Sequence, residues 1–232
     1  MDFLQNKRVA VIGHTFGIGK EIYEICKFNK AKTVDGFSRS NGYNILHEDA
    51  NPLISKIIKE DYDIVFNNVF APKLQTKVLK VLHQQWKDRS GKVVINTGSC
   101  SAYYSIGAAN YEHDKLEQAD YCIAAGRDYP SKNKCRLHNV SLGWVKSNLT
   151  EGIDDKWLLD TYEVALILVN LVNDKPYVIS EMVVNSPYPD DMTFKRMAMT
   201  ARLNASASLQ DSIDLVRVGA VAENALLLKW QL

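Results

Sequence analysis

Residues 8–19 read RVAVIGHTFGIG. The stretch opens with an apolar run, which predicts a buried β-strand, and continues after its glycines into apolar residues at helical spacing. Glycines between a strand and a helix let the backbone approach a pyrophosphate, and the helix N-terminus supplies N–H groups and the positive end of its dipole. The stretch therefore predicts a dinucleotide-binding turn, with a ligand-free strand–helix connection as the alternative. The residues assigned to the cofactor are Gly13, Thr15, Phe16, Gly17, Ile18 and Gly19.

Strand and helix patterns alternate along the rest of the chain. Strands are predicted over residues 8–12, 34–37, 63–67, 92–96, 137–142 and 181–185. Helices are predicted after residue 17 and over residues 53–58, 74–86, 110–128 and 160–172. This order implies βαβ units, and therefore a doubly wound, Rossmann-like α/β fold with a parallel sheet and helices on both faces.

The alternation stops near Pro189. We expect a single dinucleotide-binding domain over residues 1–190, because 232 residues suit one domain of this kind. Residues 191–232 are partly rich in Ala and Ser and show no strand pattern, so we expect a helical C-terminal extension. A poorly ordered tail is the alternative interpretation of this segment.

Composition narrows the function classes. The net charge is +1 and no basic cluster stands out, which argues against nucleic acid or a membrane surface as the partner. No apolar run reaches the ~18 residues that a membrane span needs, and the N-terminus does not resemble a signal peptide. The four cysteines form no CxxC pair and show no zinc-site spacing, so we expect no metal and a reduced, cytoplasmic protein.

The end of the second predicted strand indicates the cofactor. In folds of this class, an acidic side chain at that point binds the ribose 2′-hydroxyl, whereas a basic one fits a 2′-phosphate. Here Ser38 and Arg39 follow the strand, and Asp35 is expected inside it. The sequence therefore favours NADP(H), with NAD(H) as the alternative, and assigns Ser38 and Arg39 to the cofactor.

Tyr111 and Lys115 form a Tyr-x-x-x-Lys pair within the predicted helix over residues 110–128. Residues four apart share a helix face, so the two side chains should be neighbours. A phenol has an ordinary pKa of about 10, and an adjacent ammonium stabilises the phenolate. We therefore expect Lys115 to lower the pKa of Tyr111 towards the range useful for proton transfer. His113 and Asp114 should point elsewhere on the helix, at the surface.

Several motifs occur in a fixed order along the chain. They are GHTFGIG at residues 13–19, Asn67-Asn68, NTGS at residues 96–99, YEHDK at residues 111–115 and LGWV at residues 142–145. In order and spacing they resemble the short-chain dehydrogenase/reductase family, whose corresponding patterns are TGxxxGIG, NNAG, NxSS, YxxxK and PGWV. The resemblance covers about residues 6–186, or four-fifths of the chain.

The resemblance implies an oxidoreductase that transfers a hydride between nicotinamide C4 and the carbon of a small-molecule carbonyl or alcohol. The implied catalytic residues are Ser99, which binds the substrate oxygen, Tyr111, which gives it a proton, and Lys115, which lowers the Tyr111 pKa and holds the nicotinamide ribose. The cofactor-binding residues implied in addition to the glycine turn are Asn68, Tyr111, Lys115, Gly143 and Val145.

The chain departs from the family at several positions. Val69-Phe70 replaces the Ala-Gly of NNAG, and Leu142 replaces the proline of PGWV. The family's fourth catalytic residue, a helix asparagine, has no counterpart between Asn68 and Asn96, a segment that is also short. Three hypotheses follow: an active NADP(H)-dependent oxidoreductase, a degenerate relative that binds a dinucleotide without turnover, and a structural or interaction protein on this fold.

Family members usually pair through the helices that precede and carry YxxxK. The resemblance therefore implies a homodimer or homotetramer. The apolar face of Leu74, Val78 and Leu82 is the candidate contact, and the tail from Met192 is a further candidate contributor.

Overall fold

The computed structural model describes residues 1–43, 50–69, 71, 73–104, 108–175 and 177–186. In these ranges six strands form one parallel sheet in the order β2-β1-β3-β4-β5-β6. The strands are β1 Arg8–Ile12, β2 Thr33–Phe37, β3 Ile64–Asn67, β4 Val93–Ser99, β5 Arg136–Leu142 and β6 Glu181–Val184. The α-helices are α1 Gly17–Phe28, α2 Asn51–Lys59, α3 Leu74–Trp86, α4 Ala109–Arg127 and α5 Thr161–Asn170. The predicted doubly wound α/β fold is confirmed.

The strands are apolar on both faces because helices cover both. Within β1, Ala10 and Ile12 pack in the core beneath α2, α3 and α4. Val9 and Val11 point the opposite way, into the core shared with α1 and α5. This arrangement explains why β1 reads as a continuous apolar run, as buried parallel strands do, rather than as an alternation of apolar and polar residues.

The strand order reverses beside β1. The chain leaves β1 through α1 to β2 on one side, and it returns through α2 to β3 on the other. The carboxyl ends of β1 and β3 therefore meet at the topological switch point, where ligands of open α/β sheets bind. The glycine turn follows β1 and Asn68 follows β3, so both lie at this crevice.

The predicted contact face for an oligomer is wrong. Val78 and Leu82 on α3 are fully buried in the core against the sheet, and Leu74 is half-buried. The side chains of Val78 and Leu82 therefore stabilise the monomer and are not available to a second copy. The homodimer or homotetramer itself stays a prediction, and it would need another surface.

The proposed extension over residues 191–232 and the domain end near residue 190 lie outside the described residues. None of the helices described is long and apolar enough to cross a membrane. Each of the four cysteines is a buried thiol outside any disulfide.

Candidate active site

The glycine turn is held tightly against its neighbours. Gly13 N donates to Phe37 O at 2.8 Å, which fixes the turn beside the end of β2. A Cβ built on Gly13 would lie 2.0 Å from Asn68 O, and one on Gly19 would lie 2.0 Å from Gly13 O. Gly17 has a φ of +53°, which side-chain-bearing residues rarely adopt. The three glycines are therefore required by close backbone approach or by backbone conformation.

The start of α1 suits a bound anion. No side chain caps the helix, and its first turn carries no acidic residue. Its N–H groups and the positive end of its dipole are directed at whatever lies before Gly17. Open space surrounds the position that a Cβ on Gly17 would take. The residues present therefore fit the pyrophosphate of a dinucleotide.

The remaining residues of the turn differ in exposure. Thr15 and Ile18 are half-buried within it. Phe16 is 75% exposed at the start of α1. The structure thus places all three in the turn where the sequence predicted them.

Asn68 lies against the glycine turn. Its N–H donates to Ile12 O at 3.2 Å, so it continues the register of β3 beside β1. Its side-chain nitrogen lies 2.7 Å from the position that a Cβ on Gly19 would occupy. The structure therefore brings together the two segments that the sequence assigned to the cofactor.

Ser38 and Arg39 follow β2 directly. Arg39 begins a 3-10 turn over Arg39–Asn41 and is exposed, while Ser38 is half-buried. Asn41 fixes this turn, because its side chain accepts from Ser38 N at 2.8 Å and donates to Gly36 O at 2.6 Å. Asp35 lies inside β2 as predicted, and its carboxylate accepts the Tyr62 hydroxyl at 2.6 Å.

Ser99 and Tyr111 come together at the end of β4. Ser99 is the last residue of β4, and Tyr111 lies half-buried in the first turn of α4. Hydrogen bonds join the Tyr111 hydroxyl to the side chains of Ser99 and Ser101. Ser99 Oγ in turn accepts from the Ser101 hydroxyl at 2.9 Å and from Ser101 N at 3.2 Å. Three hydroxyl groups therefore form one cluster.

Lys115 completes the group predicted from the sequence. Its Nζ lies 5.6 Å from the centroid of the Tyr111 ring, one helical turn further along α4. The residue is 5% exposed. Its Nζ donates to Gln75 Oε1 at 2.6 Å and to Thr97 O at 3.1 Å, with Gln118 Oε1 at 3.4 Å. The structure thus brings Ser99, Tyr111 and Lys115 together at one place.

The pKa values in this cluster correct one expectation. Burial raises the pKa of Tyr111, and the hydrogen bonds with Ser99 and Ser101 act in the opposite direction. The expected lowering of the Tyr111 pKa by Lys115 is therefore wrong for this arrangement. The physical reason is that desolvation dominates at the phenol, whereas the Lys115 amine, whose own pKa is depressed, is uncharged at the high pH where the phenol titrates. Burial also lowers the pKa of Lys115 to about 7.

Asp114 corrects a second expectation. The side chain is buried rather than at the surface, and it accepts from Lys73 N at 2.6 Å. This bond ties α4 to the residue that precedes α3. His113 is exposed, as predicted.

A buried polar network beneath the site was missed by the sequence analysis. Gln75 is 1% exposed, and its amide nitrogen donates to Asn67 O and Thr97 O, at 3.0 Å each. Asn96 donates to Asn139 Oδ1 at 2.7 Å, which extends the network across the sheet. A local signal existed: Gln75 is a polar residue on the helix face whose other members, residues 78, 79 and 82, are apolar.

Gly143 and Val145 follow β5. Gly143 N donates to Val184 O at 2.8 Å, and a Cβ there would lie 2.5 Å from Ser186 N. Val145 is buried, and its carbonyl accepts the Thr150 hydroxyl at 2.8 Å. Both residues thus lie at the carboxyl edge of the sheet, after the strand that pairs with β4 and β6.

Solved structures share this fold. Two are crystal structures of a short chain dehydrogenase from Burkholderia cenocepacia J2315 in complex with NADP. The first is 14% identical, with a TM-score of 0.62 over 78% of this chain and 97% of that one. The second is 13% identical, with a TM-score of 0.64 over 93% of this chain and 99% of that one.

A third similar structure is an alcohol dehydrogenase from the archaeon Thermococcus sibiricus complexed with 5-hydroxy-NADP. It is 14% identical, with a TM-score of 0.63 over 79% of this chain and 99% of that chain. No family model matches the chain, and no curated protein matches it. The chain therefore has the fold of the short-chain dehydrogenases, which confirms at the level of fold the resemblance that its motifs indicate.

Proposed function

We propose that this protein is an NADP(H)-dependent oxidoreductase of the short-chain dehydrogenase/reductase family, acting on a small-molecule carbonyl or alcohol. The observation that carries the proposal is that Ser99, Tyr111 and Lys115 come together at the same carboxyl edge of the sheet as the glycine turn. Lys115 contacts Gln75, and Gln75 contacts Asn67 O, one residue before Asn68 at the turn. The group proposed as catalytic and the turn proposed to hold the dinucleotide thus share one edge of the sheet.

The cofactor residues follow from this geometry. The glycine turn and the start of α1 would hold the pyrophosphate, and Asn68, Gly143 and Val145 would line the path of the nicotinamide half. Arg39 at the end of β2 would pair with a ribose 2′-phosphate, which favours NADP(H) over NAD(H). The three similar structures, with NADP or 5-hydroxy-NADP bound, support this choice. When bound, the cofactor supplies the hydride, and the protein orients the reacting groups.

Ser99 would bind the substrate oxygen as a donor. Its Oγ accepts two hydrogen bonds from Ser101, which occupy both of its lone pairs. Its own proton is therefore left to donate, either to the Tyr111 hydroxyl or to a carbonyl oxygen that takes its place. A donor aimed at that oxygen stabilises the negative charge that develops during reduction.

Tyr111 would act as the general acid. A phenol has an ordinary pKa of about 10, and burial raises that of Tyr111, so the group carries its proton at neutral pH and can give it to the carbonyl oxygen. Lys115, directly below it on α4, would hold the nicotinamide ribose.

A degenerate relative that binds a dinucleotide without turnover is the second candidate. Its supporting observation is that Lys115 already has three protein acceptors around its Nζ. A contact between Lys115 and a ribose would then require the amine to exchange one of these acceptors.

The test is an NADPH-oxidation screen over a panel of aldehydes and ketones. Tyr111→Phe is expected to cut turnover by ~10²–10⁴, the usual effect of a positioned acid, with NADPH affinity nearly unchanged. Tyr121→Phe is the matched control, because this tyrosine lies on the same helix and its hydroxyl pairs with His83 Nδ1 at 2.8 Å. Full activity in Tyr111→Phe would refute the catalytic assignment. NADPH binding without turnover of any carbonyl would favour the degenerate relative.

A further inference from the structure

The orientation of the Gln75 side chain is determined by its neighbours. Its amide nitrogen lies 3.0 Å from two backbone carbonyl oxygens, those of Asn67 and Thr97. Carbonyl oxygens only accept hydrogen bonds, so the NH₂ group must face them and the amide oxygen must face the other way. That oxygen lies 2.6 Å from Lys115 Nζ. Gln75 therefore presents a fixed acceptor to the amine.

Among the oxygens around Lys115, the Gln75 amide oxygen makes the shortest contact with its amine. Its remaining acceptors, Thr97 O and Gln118 Oε1, lie further away, at 3.1 and 3.4 Å. The adjacent carboxylate on α4, that of Asp114, accepts from Lys73 N, and its charge favours the protonated amine but does not offset desolvation. A buried ammonium is costly unless hydrogen-bonded oxygens replace its water, and the Gln75 oxygen makes the shortest of these contacts.

We propose that Gln75 is a positioning residue for Lys115, whose amide oxygen holds the amine beside Tyr111 and favours its protonated form. The importance of this role for catalysis rests on the proposed function. The contact between Gln75 and Lys115 is present whether or not the protein turns over a substrate. The titratable groups that face Lys115 are Asp114 and Tyr111, both on α4. From α3 and β4 it meets the uncharged Gln75 amide and the Thr97 carbonyl. The acceptor on α3 thus acts on a lysine that desolvation already makes easy to deprotonate.

The decisive measurement is the pKa of Lys115 in the protein without cofactor. It is obtained from an NMR pH titration of the ε-carbons of ¹³C-labelled lysine, with the Lys115 signal identified by its absence in Lys115→Met. Gln75→Met keeps the side-chain length but removes the oxygen, and hydrogen bonds to charged groups are among the stronger ones in proteins. We expect the Lys115 pKa to fall by about one pH unit in this variant.

The matched control is Thr76→Val, which breaks the neighbouring bond from Gln118 Nε2 to Thr76 Oγ1 and leaves the Gln75 contact in place. It should leave the Lys115 pKa unchanged. An unchanged pKa in Gln75→Met, or an equal fall in both variants, would overturn the proposal. If Gln75→Met is too unstable to titrate, Gln75→Asn is the second variant, because its side chain is one methylene shorter and moves the amide oxygen away from Lys115. It should also lower the Lys115 pKa. An unchanged Lys115 pKa in Gln75→Asn would refute the proposal.

An activity measurement separates this proposal from the proposed function. If a carbonyl substrate is found, Gln75→Met should move the alkaline limb of the pH–rate profile to lower pH, by the amount that NMR gives for Lys115. If no carbonyl is turned over, the proposed function fails. The titration of Lys115 still decides whether Gln75 holds its proton.

Discussion

Replacing Lys115 by methionine should make the protein more stable while removing its activity. Lys115 is 5% exposed and is surrounded mainly by uncharged oxygens. Burial lowers its pKa to about 7 from an ordinary value of 10.5. Below pH 7 the folded chain must therefore hold a buried ammonium that the unfolded chain leaves in water. Methionine fills a similar volume and carries no charge into the core.

The magnitude follows from the two pKa values. The difference between 10.5 and about 7, at roughly 1.4 kcal/mol per pH unit, corresponds to about 5 kcal/mol of lost stability at low pH. Between these pKa values the unfolded chain binds more protons at Lys115 than the folded chain does. Stability contributed by this residue therefore rises with pH across that window. From pH 6 to pH 8.5 the penalty should shrink by about 2 kcal/mol.

Urea unfolding of the wild type and of Lys115→Met at these two pH values measures the effect. The variant should be the more stable at pH 6, and its advantage should shrink by about 2 kcal/mol at pH 8.5. Comparing variant with wild type cancels the other titrating groups, including the buried cysteines. Lys132→Met is the matched control, because the Lys132 side chain is exposed. Its unfolding free energy should differ from that of the wild type by the same amount at both pH values. If the difference in unfolding free energy between Lys115→Met and the wild type does not change with pH, the reasoning is refuted.

Two further predictions concern the cofactor. Arg39→Ala should shrink the difference between the binding free energies of NADPH and NADH by ~1–3 kcal/mol, because a charge-assisted contact with the 2′-phosphate is lost. Calorimetry measures both affinities, and equal affinities in the unmutated protein would contradict this prediction. Gly19→Ala should weaken the binding of both cofactors and lower the melting temperature, because its Cβ would lie 2.0 Å from Gly13 O. Unchanged cofactor affinity in Gly19→Ala would show that the turn is not the dinucleotide site.

Much of the secondary structure was predictable because its signals are local. The apolar run at residues 8–12 and the helical spacing after Gly17 depend on neighbours a few positions away, and β1 and α1 occur where those patterns predict them. The same holds for Tyr111 and Lys115, because a spacing of four places two residues on one helix face whatever surrounds the helix. The positions of the candidate site residues along the chain therefore needed no tertiary structure.

The tertiary structure decided what each of those residues contacts. Lys115 meets Gln75, 40 positions earlier in the chain, only because α3 and α4 pack on the same face of the sheet. The same packing buries Asp114 and raises the pKa of Tyr111, both against the expectation from helix geometry. Burial, hydrogen-bond partners and pKa values depend on contacts between segments distant in sequence, and a local pattern carries no information about them. The sequence by itself thus determined which residues could form the site, and the packing of α3 and α4 on the sheet determined their environment.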